Sequence, residues 1–210
     1  MKVQKFPQSH LVISKKGKTL IIDPGYITFE KGFKVEDFQG ADAYLISHQH
    51  ADHLGPETIK EVVGDKPVFG NYDVVEKLIE AGVLQAKEIK DKEEIEAAGF
   101  IVKAVNLPHF EKPGFEMPPN TGFLIDEVFF HPGDGNIAPG HLHAENAAVP
   151  IGGWTVSLDS ALKFSKDIGA KVVVPIHYDW YEADPERFKE MAKTEGVEVR
   201  ILNHGEETEI

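Results

Sequence analysis

Three histidines and an aspartate stand within six residues, His48-Gln49-His50-Ala51-Asp52-His53, directly after the apolar run Ala43-Tyr44-Leu45-Ile46. A run of that kind reads as a short buried strand, and its C-terminal end is then crowded with donor atoms. His48 and His50 lie two apart, which places them on one face of a strand, and a tight turn also converges them. Asp52 and His53 follow one turn further on. Imidazole nitrogen and carboxylate oxygen suit zinc and other first-row divalent ions. An incidental histidine run is a poor explanation for a cluster set between a strand and a helix. Any fold for this chain has to bring further ligands to the mouth of that strand.

The rest of the sequence supplies them. His109 follows Ile101-Val102-Lys103-Ala104-Val105-Asn106-Leu107-Pro108, and His177 follows Val172-Val173-Val174-Pro175-Ile176. Each sits just past an apolar strand-like run, where the chain can turn inward. Asp134 lies in His131-Pro132-Gly133-Asp134-Gly135, whose glycines permit an unusual backbone able to aim a carboxylate. A plain turn aspartate is the alternative there. Asp23, in Ile22-Asp23-Pro24-Gly25, either braces a ligand from behind or caps a turn.

Composition narrows the chemistry. The 210 residues include no cysteine, which removes disulfides and thiolate metal sites and fits a reducing cytoplasm, the expected location. Twenty-two Lys and Arg against 35 Asp and Glu leave a formal charge of −13, so a nucleic-acid backbone is not an expected partner. Bound divalent ions would offset charge where Asp and His converge, so a small anionic substrate remains compatible. The start Met1-Lys2-Val3-Gln4-Lys5-Phe6-Pro7 has no apolar core of a signal peptide, and no run approaches the roughly 20 residues of a membrane span.

Hydrophobic patterning gives a mixed strand–helix order. A hairpin is expected over 10–13 and 19–22, a loop over 26–40, and strands at 43–47, 67–69, 101–105, 122–125, 128–130, 171–175 and 197–201. Helices are expected at 56–63, at 73–81 with Asn71 as cap, at 158–168 closed by Gly169, and at 185–194 with Pro185 in the first turn. Residues 134–144 read as a polar, Gly-containing loop. No linker or repeat at fixed spacing divides the chain, so one domain over 1–210 is expected.

His48-Gln49-His50-Ala51-Asp52-His53 resembles the H-x-H-x-D-H signature of the metallo-β-lactamase superfamily. His109, Asp134 and His177 follow in the order of its later motifs, and Ile22-Asp23-Pro24-Gly25 resembles its first aspartate motif. Ala148-Val149-Pro150-Ile151-Gly152-Gly153, residues 170–178 and residues 183–188 are similar to the ascorbate-6-phosphate-lactonase-like branch and related small metal-dependent hydrolases. The resemblance implies an α+β class, four-layer αββα sandwich with the metals at one edge of the sheets. It implies two divalent ions, zinc foremost, with manganese and iron as alternatives. His48, His50 and His109 would hold the first ion, Asp52, His53 and His177 the second, and Asp134 would bridge them. It further implies hydrolysis of a small ester, lactone or phosphoester by a hydroxide held between the ions, with Asp52 and Asp134 at the catalytic centre. The branch also allows a homo-oligomer.

Two departures stand out. Gln8, in Pro7-Gln8-Ser9-His10, falls where those relatives carry histidine, and Gly135 follows Asp134 where they carry threonine. Both bear on the substrate pocket and leave the ligand set intact. His10, His141 and Tyr178 are the candidates for protonating a leaving group. Diiron oxidoreductases of this superfamily resemble the pattern with glutamate in place of the second histidine; His50 at that position favours hydrolysis. A phosphodiesterase or nuclease, and a non-catalytic metal-binding protein, are the remaining alternatives.

Overall fold

The computed structural model describes residues 1–55, 57–181 and 183–210. Strands β1 (Lys2–Lys5), β2 (Leu11–Lys15), β3 (Lys18–Ile22), β4 (Ala43–Ile46), β5 (Val68–Gly70) and β6 (Ala86–Glu88) pair in sequence order. Strands β7 (Glu94–Ala97), β8 (Phe100–Leu107), β9 (Asn120–Ile125), β10 (Phe129–His131), β11 (Asn146–Pro150), β12 (Val172–Ile176) and β13 (Glu198–Val199) form the second sheet, again in sequence order. The last strand, β14 (Glu207–Glu209), returns to the first sheet and lies antiparallel to β1.

Period-two alternation explains why the sheets face each other. Leu11 and Ile13, Leu20 and Ile22, and Ala43 and Leu45 meet Phe100, Val102, Ala104, Phe123 and Ile125 in one core between the sheets. Their alternates point outward. Ile21, Tyr44 and Ile46 pack under the helices α2 (Ile59–Val63) and α3 (Tyr72–Glu80), with the short α1 (Tyr26–Glu30) beside them. Val105, Leu124, Ala147 and Val149 pack under α4 (Leu158–Asp167) and α5 (Pro185–Thr194). The result is the four-layer αββα arrangement. Truncating a ring at its centre, as in Phe123→Ala, would cost about 3–5 kcal/mol.

Local chemistry sets the helix ends. Asn71 caps α3, its side chain accepting from Val74 N, and Ser157 caps α4 in a reciprocal box with Ser160. Asp184 caps α5 and Pro185 occupies its first turn, as expected.

Several sequence expectations need correction. Residues 26–40 hold α1 and a 3-10 turn at Val35–Asp37. Helix α2 begins at Ile59, and Pro56 lies outside the described residues. Strands β1, β6, β7, β11 and β14 were not expected. Four of these are polar strands at or beside a sheet edge, where one side of the ladder meets water and the apolar alternation fades.

Candidate metal centre

β4 ends at Ile46 and the chain turns at once: His53 N and Leu54 N both donate to His50 O, at 3.0 and 2.8 Å. That turn gathers the histidines, with the His48 ring centre 4.7 Å from His50, edge-on, and 4.0 Å from His53, tilted. Gly25 makes room for it, because a Cβ there would lie 1.9 Å from Asp52 O. The second sheet brings the rest from three strand ends. His109 leaves β8 and bridges to Gly135, Asp134 follows β10, and His177 follows β12. Gly133 sits at φ +58, and a Cβ would meet Asn120 Oδ1 at 2.2 Å. Its absence lets Asn120 Oδ1 accept from Asp134 N at 3.0 Å and fix the carboxylate.

Ligand-type atoms of His48, His50, His109 and Asp134 gather within 4.8 Å of one another, and those of Asp52, His53 and His177 do the same. Asp134 faces both groups. Its Oδ1 is 3.1 Å from His53 Nε2, and its Oδ2 is 3.3 Å from both His109 Nε2 and His177 Nε2. Asp52 Oδ2 lies 3.3 Å from His177 Nε2 and 3.8 Å from His53 Nε2.

The outer nitrogen of four rings is engaged, which turns the inner one toward the centre. His53 Nδ1 is 2.8 Å from Asp23 Oδ2, His109 Nδ1 is 2.6 Å from Phe110 O, and His177 Nδ1 is 2.9 Å from Gly152 O. His48 Nδ1 meets Ser47 Oγ at 3.1 Å, and Ser47 Oγ donates to Asp23 Oδ2 at 2.7 Å. Asp23 is therefore a brace: fully buried, it also accepts from Ser47 N. It holds φ +52, as Gln8 holds +58 and His177 +59; left-handed backbone of this kind costs about 1–3 kcal/mol per residue and gathers at functional sites.

The inner atoms fit a cation better than they fit one another. His48 Nε2 and His109 Nε2 both face His50 Nδ1, at 3.0 and 3.1 Å, and one proton cannot satisfy three such nitrogens. His53 Nε2 and Asp134 Oδ1 are buried and close, yet neither has a hydrogen bond of acceptable angle. Buried polar atoms are rarely left so. Five imidazoles and two carboxylates with converging lone pairs are a donor set for zinc or another first-row divalent ion.

Protonation differs across the cluster. Burial, reinforced by the neighbouring His53, holds His48 well below the usual imidazole range; burial and His109 bring His50 to about 4. For His53 burial also opposes charge, but Asp134, Asp23 and Asp52 outweigh it and raise the group well above its ordinary value. His177 is raised against burial by Asp134 and Asp52. Asp52 is brought to about 2, burial being overcome by His53 and His177, so it is a carboxylate at neutral pH.

The other three sequence candidates lie elsewhere. His10 is fully buried against Phe6 and Phe38, its Nδ1 3.0 Å from Thr28 Oγ1; burial takes it to about 3, so it is a neutral core ring. Tyr178 carries Lys5 Nζ over its ring at 4.6 Å, and burial pushes its hydroxyl up to about 12. Both are correctly located in sequence near the site but face other neighbours. His141 and His143 are exposed on the loop after Asp134.

The residues that sequence reasoning missed are the ones that surround the ligands. Tyr181 stacks on His177 with ring centres 5.4 Å apart, and Phe110 packs between His109 and His177. Gln8 Nε2 reaches toward Asp52 Oδ2 at 3.5 Å, while Gln8 O accepts from His177 N at 3.1 Å. Asp179 Oδ2 accepts from Gln8 N at 2.7 Å and pairs at 3.3 Å with Lys5, whose side chain is wholly buried. The Gln8 departure from the expected histidine was the one local signal for this group.

Comparison with known proteins adds the lineage. Residues 2–177 match the family model described as beta-lactamase superfamily domain. A UPF0173 metal-dependent hydrolase of Methanocaldococcus jannaschii is 30% identical over 83% of this chain and 86% of its own. A metallo hydrolase of Ignicoccus hospitalis superposes with TM-score 0.77 at 24% identity, over 100% of this chain and 98% of that one. The metallo-beta-lactamase fold protein YhfI of Bacillus subtilis does so with TM-score 0.72 at 17% identity, over 99% and 98%. At these identities the two superpositions establish the fold. No helix among the described residues is long and apolar enough to cross a membrane.

Proposed function

The chain belongs to the beta-lactamase superfamily, and from that premise we propose that it is a metal-dependent hydrolase of a small ester, lactone or phosphoester. The observation that carries this reading is the unsatisfied convergence of imidazole and carboxylate lone pairs on two adjoining points. His48, His50 and His109 would hold one ion, Asp52, His53 and His177 the other, and Asp134 would serve both through its two oxygens. The nitrogen majority favours zinc. A divalent pair there would lower the pKa of a water to near neutrality and polarise the oxygen of the bond to be broken.

The chain's own residues prepare that chemistry. Asp23, Ser47 and the carbonyls of Phe110 and Gly152 fix each ring's orientation, so the ligand atoms need little reorganisation. Tyr181 and Phe110 wall the His177 side and limit water there. Asp52, a carboxylate through the neutral range, holds a cation or accepts a proton and donates none. The hydrolase would be one domain over 1–210: α5 and β13 lie beyond residue 177 yet complete the second sheet's cover and edge, and β14 pairs with β1. A small substrate suits the −13 charge better than a nucleic acid does.

The test is metal-free protein, reloaded with zinc, manganese or iron and assayed on lactones, carboxylic esters and bis-p-nitrophenyl phosphate. Turnover should return only with metal, and His50→Ala should lower kcat/KM by at least about 100-fold, equivalent to some 2.7 kcal/mol of transition-state stabilisation. Full activity after chelation, with metal loss verified by elemental analysis, would refute the reading.

A further inference from the structure

Between β8 and β9 the chain runs through Pro108, Pro113, Pro118 and Pro119, so φ is fixed near −65° at each of them before the protein folds. Loops of this length without helix or strand are uncommon in compact domains unless they bind something. This one carries His109 at its second position, with Nε2 facing Asp134. Three residues on, Lys112 Nζ lies 4.2 Å from the centre of the Phe115 ring and 4.6 Å from that of Trp154. Trp154 is tied in from the other side of the site. Thr155 Oγ1 donates to Glu111 O at 2.9 Å, and Gly152 O is the acceptor that orients His177. The Lys112 cluster therefore lies three residues by chain from His109 and, at Trp154, two residues from the Gly152 carbonyl that holds His177.

The loop lines a cavity of about 770 Å³ whose wall includes Tyr72, His109, Lys112, Phe115, Met117 and Asn120. That volume lies in the range of small-molecule sites. Folding does not account for what is displayed there. Phe115, on that wall, is 64 % exposed, and Trp154, which shares Lys112 with it, is 61 % exposed, although rings of this size stabilise a fold chiefly by being buried. Lys112 is held over those rings rather than trailing in solvent, at a cost in side-chain freedom. A cation so placed, on a chain of net charge −13, is a local exception to the field that repels anions. Glu111 and Glu116 line the same cavity, which disfavours a ligand with several negative charges.

Resting on the hydrolase reading, we propose that this cavity is the subsite for the part of the substrate that does not react: a flat aromatic or apolar group bearing a single negative charge. The ring lies against Phe115, and the charge meets Lys112, whose ammonium the Trp154 ring also faces. Binding energy gathered here would orient the scissile bond over the adjoining centre.

The test uses 8-anilinonaphthalene-1-sulfonate, an aromatic monoanion, and its uncharged analogue N-phenyl-1-naphthylamine, titrated by fluorescence into zinc-loaded protein. Lys112→Glu and Lys112→Gln should weaken the sulfonate by at least about fivefold and the neutral probe by less than about twofold, as expected for loss of one charge contact. Phe115→Ala should weaken both probes. Lys171→Glu, a surface change at a pair with Glu145 on another face, should alter neither. A smaller loss of sulfonate binding in both Lys112 variants, or no binding to the unaltered protein, overturns the proposal. Because the readout needs no turnover, an inert protein with the expected pattern keeps the subsite and loses the hydrolase reading. Turnover with unchanged probe binding in the variants sinks the subsite alone.

Discussion

Around His48 and His50 burial and neighbouring imidazoles keep the rings neutral, His50 down to about 4. His53 and His177 are also deeply buried and are pushed the other way, toward the charged form, by Asp134 and Asp52, with Asp23 added at His53. One residue type, in rings whose centres are as close as 4.0 Å, is thus pushed in opposite directions of protonation. What decides is the count of carboxylates at each point. The first group meets a confrontation of lone pairs that only a cation relieves, whereas the second neutralises its carboxylates with protons that a cation has to displace.

The largest expected effect erases the distinction. Asp134→Ala removes the carboxylate both groups share, and affinity for each of two ions should fall by at least about 100-fold, beyond what loss of an outer partner costs. His141→Ala and His143→Ala should retain both ions. Equal metal loss in all three variants, by elemental analysis, would undo the assignment of the bridge.

Acidity should separate the two groups. Raised imidazoles bind protons below their folded pKa, and a metal competes with those protons, so affinity at the second group weakens as pH falls. Each proton displaced contributes up to about tenfold per pH unit. His48 and His50 are held below the usual imidazole range, so they add no such slope near neutral pH. Stepwise zinc titration against a chromophoric chelator at several pH values measures both affinities, and parallel slopes would contradict the contrast.

A subtler change reaches the second group from behind. Asp179 joins buried Lys5 to Gln8, and Gln8 in turn holds His177 N. Asp179→Asn leaves Lys5 without its counter-charge, so the paired change Lys5→Met with Asp179→Asn is the cleaner probe. The weaker ion should lose about tenfold in affinity and the tighter one little, as for loss of an orienting partner. Equal weakening of both, in the same titration, would mean that the network supports the fold in general.

The ligand candidates were legible because each follows an apolar run, and four of them share one turn. The αββα layering came through the resemblance of those same residues, not through strand counting. What surrounds the ligands was hidden for a simple reason: the partners are distant in sequence. Gln8 and Asp179 are separated by 171 positions, and although Gln8 stood out as a departure, nothing near Asp179 marks it as its partner. His10 and Tyr178 face other neighbours because a strand end or a turn fixes where a residue is, while its side-chain direction depends on packing that only the whole fold sets. Thr28 and the Phe6–Phe38 pocket claim His10, and Lys5 claims the face of Tyr178.

The pairing scheme of the sheets carries one more consequence. From β1 to β6 the neighbours run antiparallel, antiparallel, then parallel three times, and from β8 to β13 the same series recurs. Each series has one further antiparallel strand at its outer side, β14 on β1 and β7 on β8. One half-chain topology is thus used twice, and every station in one half has a counterpart in the other. The loop bearing Gln8 answers to the loop bearing His109, Asp23 to Asp134, and Asn71 to His177, each just past the corresponding strand. In the second half these stations face the centre with donor atoms; in the first they brace, and the loop after β4 supplies the donors instead. The cleft is a seam between two like halves that have divided one set of tasks between them.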